Sequence, residues 1–115
     1  MSNRIERYSK YKNVAIYTKK QEVQEDIYEH VVGKMSWMNI ELEDFNVDIL
    51  EFVDNHLEGE YKELNRLIEL VESGKIQSIL IWDFNEITSD MIDKLVEVSI
   101  KNKIYLNGFL TTINL

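Results

Sequence analysis

The sequence predicts a three-layer α/β domain, a mostly parallel sheet of four to five strands with helices on both faces. Three observations carry that prediction. Short β-rich apolar runs alternate with longer stretches whose apolar residues recur every three or four positions. The run Ile76–Trp82 (IQSILIW) is almost continuously apolar, as expected of a strand covered on both faces. The chain contains no proline, so nothing forces a break in its longer elements.

Taken in order, Asn13–Thr18 (NVAIYT) reads as a buried strand, too short for a helix. From Gln21 the period changes. Val23, Ile27, Val31, Met35, Met38, Leu42 and Phe45 form one apolar helical stripe. Gly33 lies inside it, leaving open one long helix with a weak point or two helices. Val47–Val53 alternates and predicts a second strand, ending at Asp54. Leu57, Tyr61, Leu64, Leu67, Ile68 and Val71 mark a helix that Ser73-Gly74 closes. Ile76–Trp82 is the third strand. Met91, Ile92, Leu95, Val96 and Val98 form a further helix with Thr88 or Ser89 as its cap. Ile104–Leu106 is a short last strand, and Asn107-Gly108 predicts a tight turn into Phe109–Ile113. Strand and helix thus alternate throughout, the pattern of a sheet sandwiched by helices. Residues 13–115 form the predicted domain, and residues 1–12 a basic tail expected to be disordered.

Composition narrows the chemistry. With 115 residues the chain suffices for one domain, able to hide roughly two-thirds of its unfolded surface. The absence of cysteine excludes disulfides, thiolate metal sites and thiol nucleophiles. No apolar run reaches the ~20 residues that span a bilayer, so no membrane association and a cytoplasmic location are expected. Residues 1–20 carry Arg4, Arg7, Lys10, Lys12, Lys19 and Lys20 against Glu6 alone. The other 95 residues hold 7 basic and 20 acidic side chains, net −13, with no Lys or Arg between Met35 and Lys62. Such a body repels phosphate backbones, so direct DNA binding is not expected.

Several ordered motifs resemble the catalytic domain of resolvase/invertase-type serine recombinases, from about Asn13 to the C-terminus. The first is Val14-Ala15-Ile16-Tyr17-Thr18-Lys19-Lys20-Gln21, where the family reads apolar-Ala-x-Tyr-x-Arg-x-Ser. The second is Phe52-Val53-Asp54 with the helix Glu63–Ile76, and the third Ile79–Asp90, where the family has a strand followed by Asp-Arg-Leu-Ser-Arg. Lys103–Leu106 fits the next strand. The resemblance implies a resolvase-like fold and, in the family, attack of a serine hydroxyl on a DNA phosphodiester, with cations around the phosphorus.

Aligned this way, the chain departs from the family at the positions its chemistry uses. The serine position is Gln21, whose amide cannot form the phosphoester. Tyr17 is kept, but the first arginine is Lys19, which holds charge without the bidentate fork. The Asp-Arg-Leu-Ser-Arg positions are Asn85, Glu86, Ile87, Thr88 and Ser89. A carboxylate ~4 Å from a phosphate costs about 4 kcal/mol of repulsion at an effective dielectric of 20. The family's Arg-Pro and Ser-Gly match Tyr61-Lys62 and Glu58-Gly59. Tyr17, Lys19, Gln21, Asn85, Glu86 and Ser89 are thus read as vestigial positions of a pseudoenzyme with no cofactor and no metal.

Other signals carry bland readings. His30, beside the apolar stripe, reads as a packing residue. Asp54-Asn55-His56-Leu57-Glu58-Gly59 mimics half a calcium loop, but the twelfth position is Asn65 rather than Glu. Asp83, Glu86 and Asp90 are a conceivable magnesium cluster, with a solvated loop the expected outcome. The serines lack His or Lys partners at recognisable spacing, which leaves a hydrolase triad unsupported. Met35, Met38, Trp37 and Trp82 read as core, with an exposed partner anchor at Trp37 as the alternative. Tyr8 and Tyr11, among tail cations, are the other candidate partner contacts.

The expected function is therefore a non-catalytic interaction or regulatory module, in a mobile-element or prophage setting. The expected partner is a protein: a recombinase-like or DNA-binding protein, or a second copy. The alternative is an acidic decoy that occupies a protein's DNA-binding site. Residual phosphodiester chemistry from a relocated nucleophile such as Thr18 is the least favoured reading.

Overall fold

A computed structural model describes residues 12–20, 31–55 and 60–110. Its strands are β1 (Asn13–Lys19), β2 (Asp48–Asp54), β3 (Ser78–Ile81) and β4 (Tyr105–Gly108). Its α-helices are α1 (Val32–Leu42), α2 (Lys62–Glu72) and α3 (Ser89–Asn102), with a 3-10 turn at Phe84–Glu86. The four strands form one sheet in the order β2-β1-β3-β4, every pairing parallel. The chain thus leaves β1 towards one edge and returns on the other side, placing a topological switch point between β1 and β3. Open α/β sheets place their sites in the crevice beyond the carboxyl ends of the strands at such a point.

Two cores flank the sheet. On one face Ala15, Tyr17, Phe52, Ile79, Ile81 and Leu106 meet α2 and α3, which supply Leu64, Leu67, Ile68, Val71, Leu95 and Val98. On the other Val14, Ile16 and Leu80 meet Met35, Met38 and Leu42 of α1. The alternation of β1 explains the split, because successive residues point to opposite faces. The three-layer prediction holds, with four parallel strands among the described residues.

Boundaries shift in instructive ways. Ile76 is buried but precedes β3, and Trp82 follows it, stacked on Phe109 at 4.9 Å between ring centroids. Asn107-Gly108 is not a turn: both residues lie in β4, paired with Leu80 and Ile81. The sheet ladder and burial of Asn107 override the local preference of the dipeptide for a turn. Residues 1–11 of the tail, Gln21–His30 (where the first helical stripe begins), residues 56–59 and the end of the predicted hairpin lie outside the described residues. Lys12, assigned to the tail, is described, and its carbonyl accepts from the Asp48 N–H at 2.7 Å.

The helix ends follow the sequence closely. Gly74, at φ 79°, lets its N–H reach the Val71 carbonyl while the Lys75 N–H reaches Leu70, a Schellman closure of α2. α3 closes the same way at Lys103, with Lys103 N–H to Ile100 and Ile104 N–H to Ser99. Lys103 adopts this left-handed conformation at φ 55°, where its Cβ crowds the following carbonyl. Lys103→Gly is expected to stabilise the protein by about 1 kcal/mol, read as a higher urea midpoint at unchanged m-value. Thr88 occupies the cap position of α3 but makes no side-chain cap bond; its N–H instead donates to the Tyr61 hydroxyl at 2.9 Å.

Candidate functional site

The carboxyl ends of β1 and β3 bring three predicted positions into one place. Thr18 and Lys19 end β1, and Glu86 closes the 3-10 turn after β3. One Glu86 carboxylate oxygen accepts from the Thr18 hydroxyl (2.8 Å) and the Lys19 backbone N–H (3.2 Å). Its other oxygen pairs with Lys34 Nζ of α1 at 3.0 Å. The two charged side chains are 6% and 14% exposed for Glu86 and Lys34, so this is an interior ion pair linking the sheet to α1. Burial lifts the Glu86 carboxyl above its ordinary value, and the contacts to Lys34, Thr18 and Lys19 pull it back in part.

The ammonium of Lys19 turns the other way. It donates to the carbonyls of Asn55 (2.6 Å) and Glu60 (2.9 Å) and lies 4.8 Å from the centroid of the Tyr61 ring. The positive charge at the arginine position thus ties down both ends of the segment between β2 and α2. Lys19 is 5% exposed, so its charge is spent inside the fold.

Beneath this layer Asp54 ends β2 with 2% exposure. Its carboxylate accepts from the Tyr17 hydroxyl (2.8 Å), Glu63 N–H (2.7 Å) and Leu64 N–H (3.0 Å). Two of these donors are unpaired groups of the first turn of α2, so Asp54 caps that helix from a neighbouring strand. Burial first, then the Asp54 hydrogen bond and charge, push the Tyr17 phenol well above its ordinary value. Tyr17 is therefore a fixed proton donor to Asp54.

The other predicted positions are not gathered here. Asn85 is exposed, and its backbone N–H donates to Asp83 Oδ1 at 3.0 Å, capping the 3-10 turn. Ser89 is exposed in the first turn of α3. Gln21, Tyr8, Tyr11, His30 and His56 lie outside the described residues. Asp54 does not face a calcium loop, since both its oxygens are held by Tyr17 and α2. Asp83, Glu86 and Asp90 do not converge either: no group of three or more His, Asp or Glu able to hold a metal occurs among the described residues. Thr18 is fully buried, with its hydroxyl donating to Glu86. Met35 and Met38 are core, whereas Trp37 is 59% exposed on α1. No helix among the described residues is long and apolar enough to cross a membrane.

The parallel four-stranded sheet with helices on both faces defines a class: the described chain has the fold of the serine recombinase catalytic domain. It matches the N-terminal catalytic domain of TP901-1 integrase with a TM-score of 0.66 at 22% identity, over 89% of this chain and 80% of that one. A resolvase family site-specific recombinase from Streptococcus pneumoniae matches with TM-score 0.66 at 17% identity, over 89% and 74% of the two chains. The C-terminal catalytic domain of ISC1926 TnpA, an IS607-like serine recombinase, matches with TM-score 0.65 at 17% identity, over 84% and 66%. No protein-family model and no curated protein matches the sequence. At these identities the likeness speaks for the fold.

Proposed function

We propose that this domain is a serine-recombinase fold used without DNA cleavage, as a module that acts through contacts with other proteins. The observation that carries this reading is the Glu86–Lys34 pair. Where the resemblance places an arginine beside the nucleophile strand, an interior carboxylate stands, its oxygens taken up by Thr18, Lys19 and Lys34. A phosphoryl group entering there meets an acid, and the nearby lysines are already bound to protein acceptors. Transition-state stabilisation by cations is therefore lost together with the serine.

A sheared genomic library from the native host offers every DNA site the protein could meet. Incubated with it and then denatured, the protein is expected to carry no covalently attached DNA; an adduct above the background given by protein denatured before the DNA is added would overturn the reading. In the same host, affinity capture is expected to recover a recombinase. A second reading, an acidic decoy, draws on the net −13 of residues 21–115. It would instead recover a DNA-binding protein whose DNA complex this chain disrupts.

A further inference from the structure

We propose that the outer face of α1 is the docking surface for a basic amphipathic helix of a partner protein. The proposal rests on the interaction-module reading and names the surface and chemistry it needs. α1 turns Met35, Met38 and Leu42 into the core. Its opposite side carries three large apolar residues in water: Val32, Trp37 and Ile40, 49%, 59% and 52% exposed. Their helical spacing places them along one side, with Gly33 and Ser36 between. A Cβ built on Gly33 would meet no heavy atom within 4 Å, so the face is open and low beside Val32 at the start of the helix. Such relief suits the ridge of a second helix, whose apolar residues three and four apart would enter it.

Charge selects the partner. Residues 31–55 hold one lysine and six acids, and that lysine, Lys34, is paired inward with Glu86. Glu43 and Asp44 are exposed at the end of α1, and Glu51 is exposed on the α1 side of the adjoining strand β2, where it accepts from Asn39 of α1. Lysines or arginines flanking the incoming apolar stripe would meet these carboxylates. A second copy would instead bring the same acidic set against itself, with like charges opposed.

The test uses the full chain and two synthetic helical peptides with one leucine face, flanked by lysines in the first and glutamates in the second. The lysine peptide is expected to bind saturably, with NMR shift changes centred on Val32, Ser36, Trp37 and Ile40. Trp37→Ala is expected to weaken binding about tenfold or more, as for a central aromatic anchor. The double change Glu43→Lys and Asp44→Lys is expected to weaken it and flatten its salt dependence. All these positions are exposed, so the variants test the surface rather than the fold. Equal binding of the glutamate peptide, shifts centred elsewhere, or no effect of Trp37→Ala would overturn the proposal. So would a concentration-dependent dimer abolished by Trp37→Ala, which would make a second copy the occupant. Failure here with no DNA adduct removes the surface and leaves the non-catalytic reading; an adduct with peptide binding intact does the reverse.

Discussion

Asp54→Ala is expected to destabilise the protein by about 3–5 kcal/mol, the range for removing one partner from a buried charged network. Three donors lose their acceptor at once: the Tyr17 hydroxyl and the Glu63 and Leu64 N–H groups. Tyr17 is completely buried, so its hydroxyl cannot turn to water, and each stranded donor costs roughly 1–3 kcal/mol. The two amides are also the cap of α2, and losing a cap costs about 1 kcal/mol by itself. These costs overlap rather than add, because one carboxylate serves all three. Against a total stability of about 5–15 kcal/mol the change removes a large fraction. Urea unfolding followed by far-UV circular dichroism measures it. Tyr17→Phe supplies the inner control: it removes one donor and keeps the cap, with an expected loss of about 1 kcal/mol. A loss below about 1 kcal/mol for Asp54→Ala would contradict the shared-acceptor account.

That network also marks the limit of what the residues disclose in order. Periodicity located all three described helices and all four strands, because burial acts on residues two, three or four apart and leaves its mark locally. Gly74 was legible for the same reason, as the closure of α2 involves only its own neighbours. The dipeptide Asn107-Gly108 misled because its local turn preference competes with a ladder to β3, 27 residues away. Asp54 was visible as the polar end of a strand, yet nothing local says that it caps a helix eight residues later. Lys34 was the real omission. It sits in an apolar stripe, and its partner Glu86 is 52 residues distant, so only the fold pairs them. One signal pointed to it: Lys34 is the last cation before a stretch of acids that ends at Lys62. Trp37 became exposed because the buried direction of α1 is set by Met35, Met38 and Leu42, leaving its ring on the far side.

Glu86→Arg, which reinstates the residue type the resemblance implies, is expected to cost at least about 3 kcal/mol instead of restoring anything. The guanidinium would lie against Lys34, whose ammonium would lose its carboxylate while remaining largely buried. The Thr18 hydroxyl and Lys19 N–H would lose their shared acceptor in the same step. Adding Lys34→Glu reverses the pair and is expected to recover more than half of the loss, since opposite charges again face one another across α1 and the 3-10 turn. A double-mutant cycle by urea unfolding isolates that coupling. A stable Glu86→Arg single variant would show that the pair carries little. The pH dependence has a definite sign as well. Burial raises the folded carboxyl above its ordinary 4.5, so the native state holds a proton at Glu86 more tightly than the unfolded chain does. Its contribution is most favourable below the unfolded value and is lost as pH rises through the folded one. Glu86→Gln removes this slope, so the wild-type advantage over Glu86→Gln should grow on acidification through that window. The acid at position 86 and the base at position 34 thus act as one coupled pair, and reversing either charge alone is expected to cost stability that reversing both recovers.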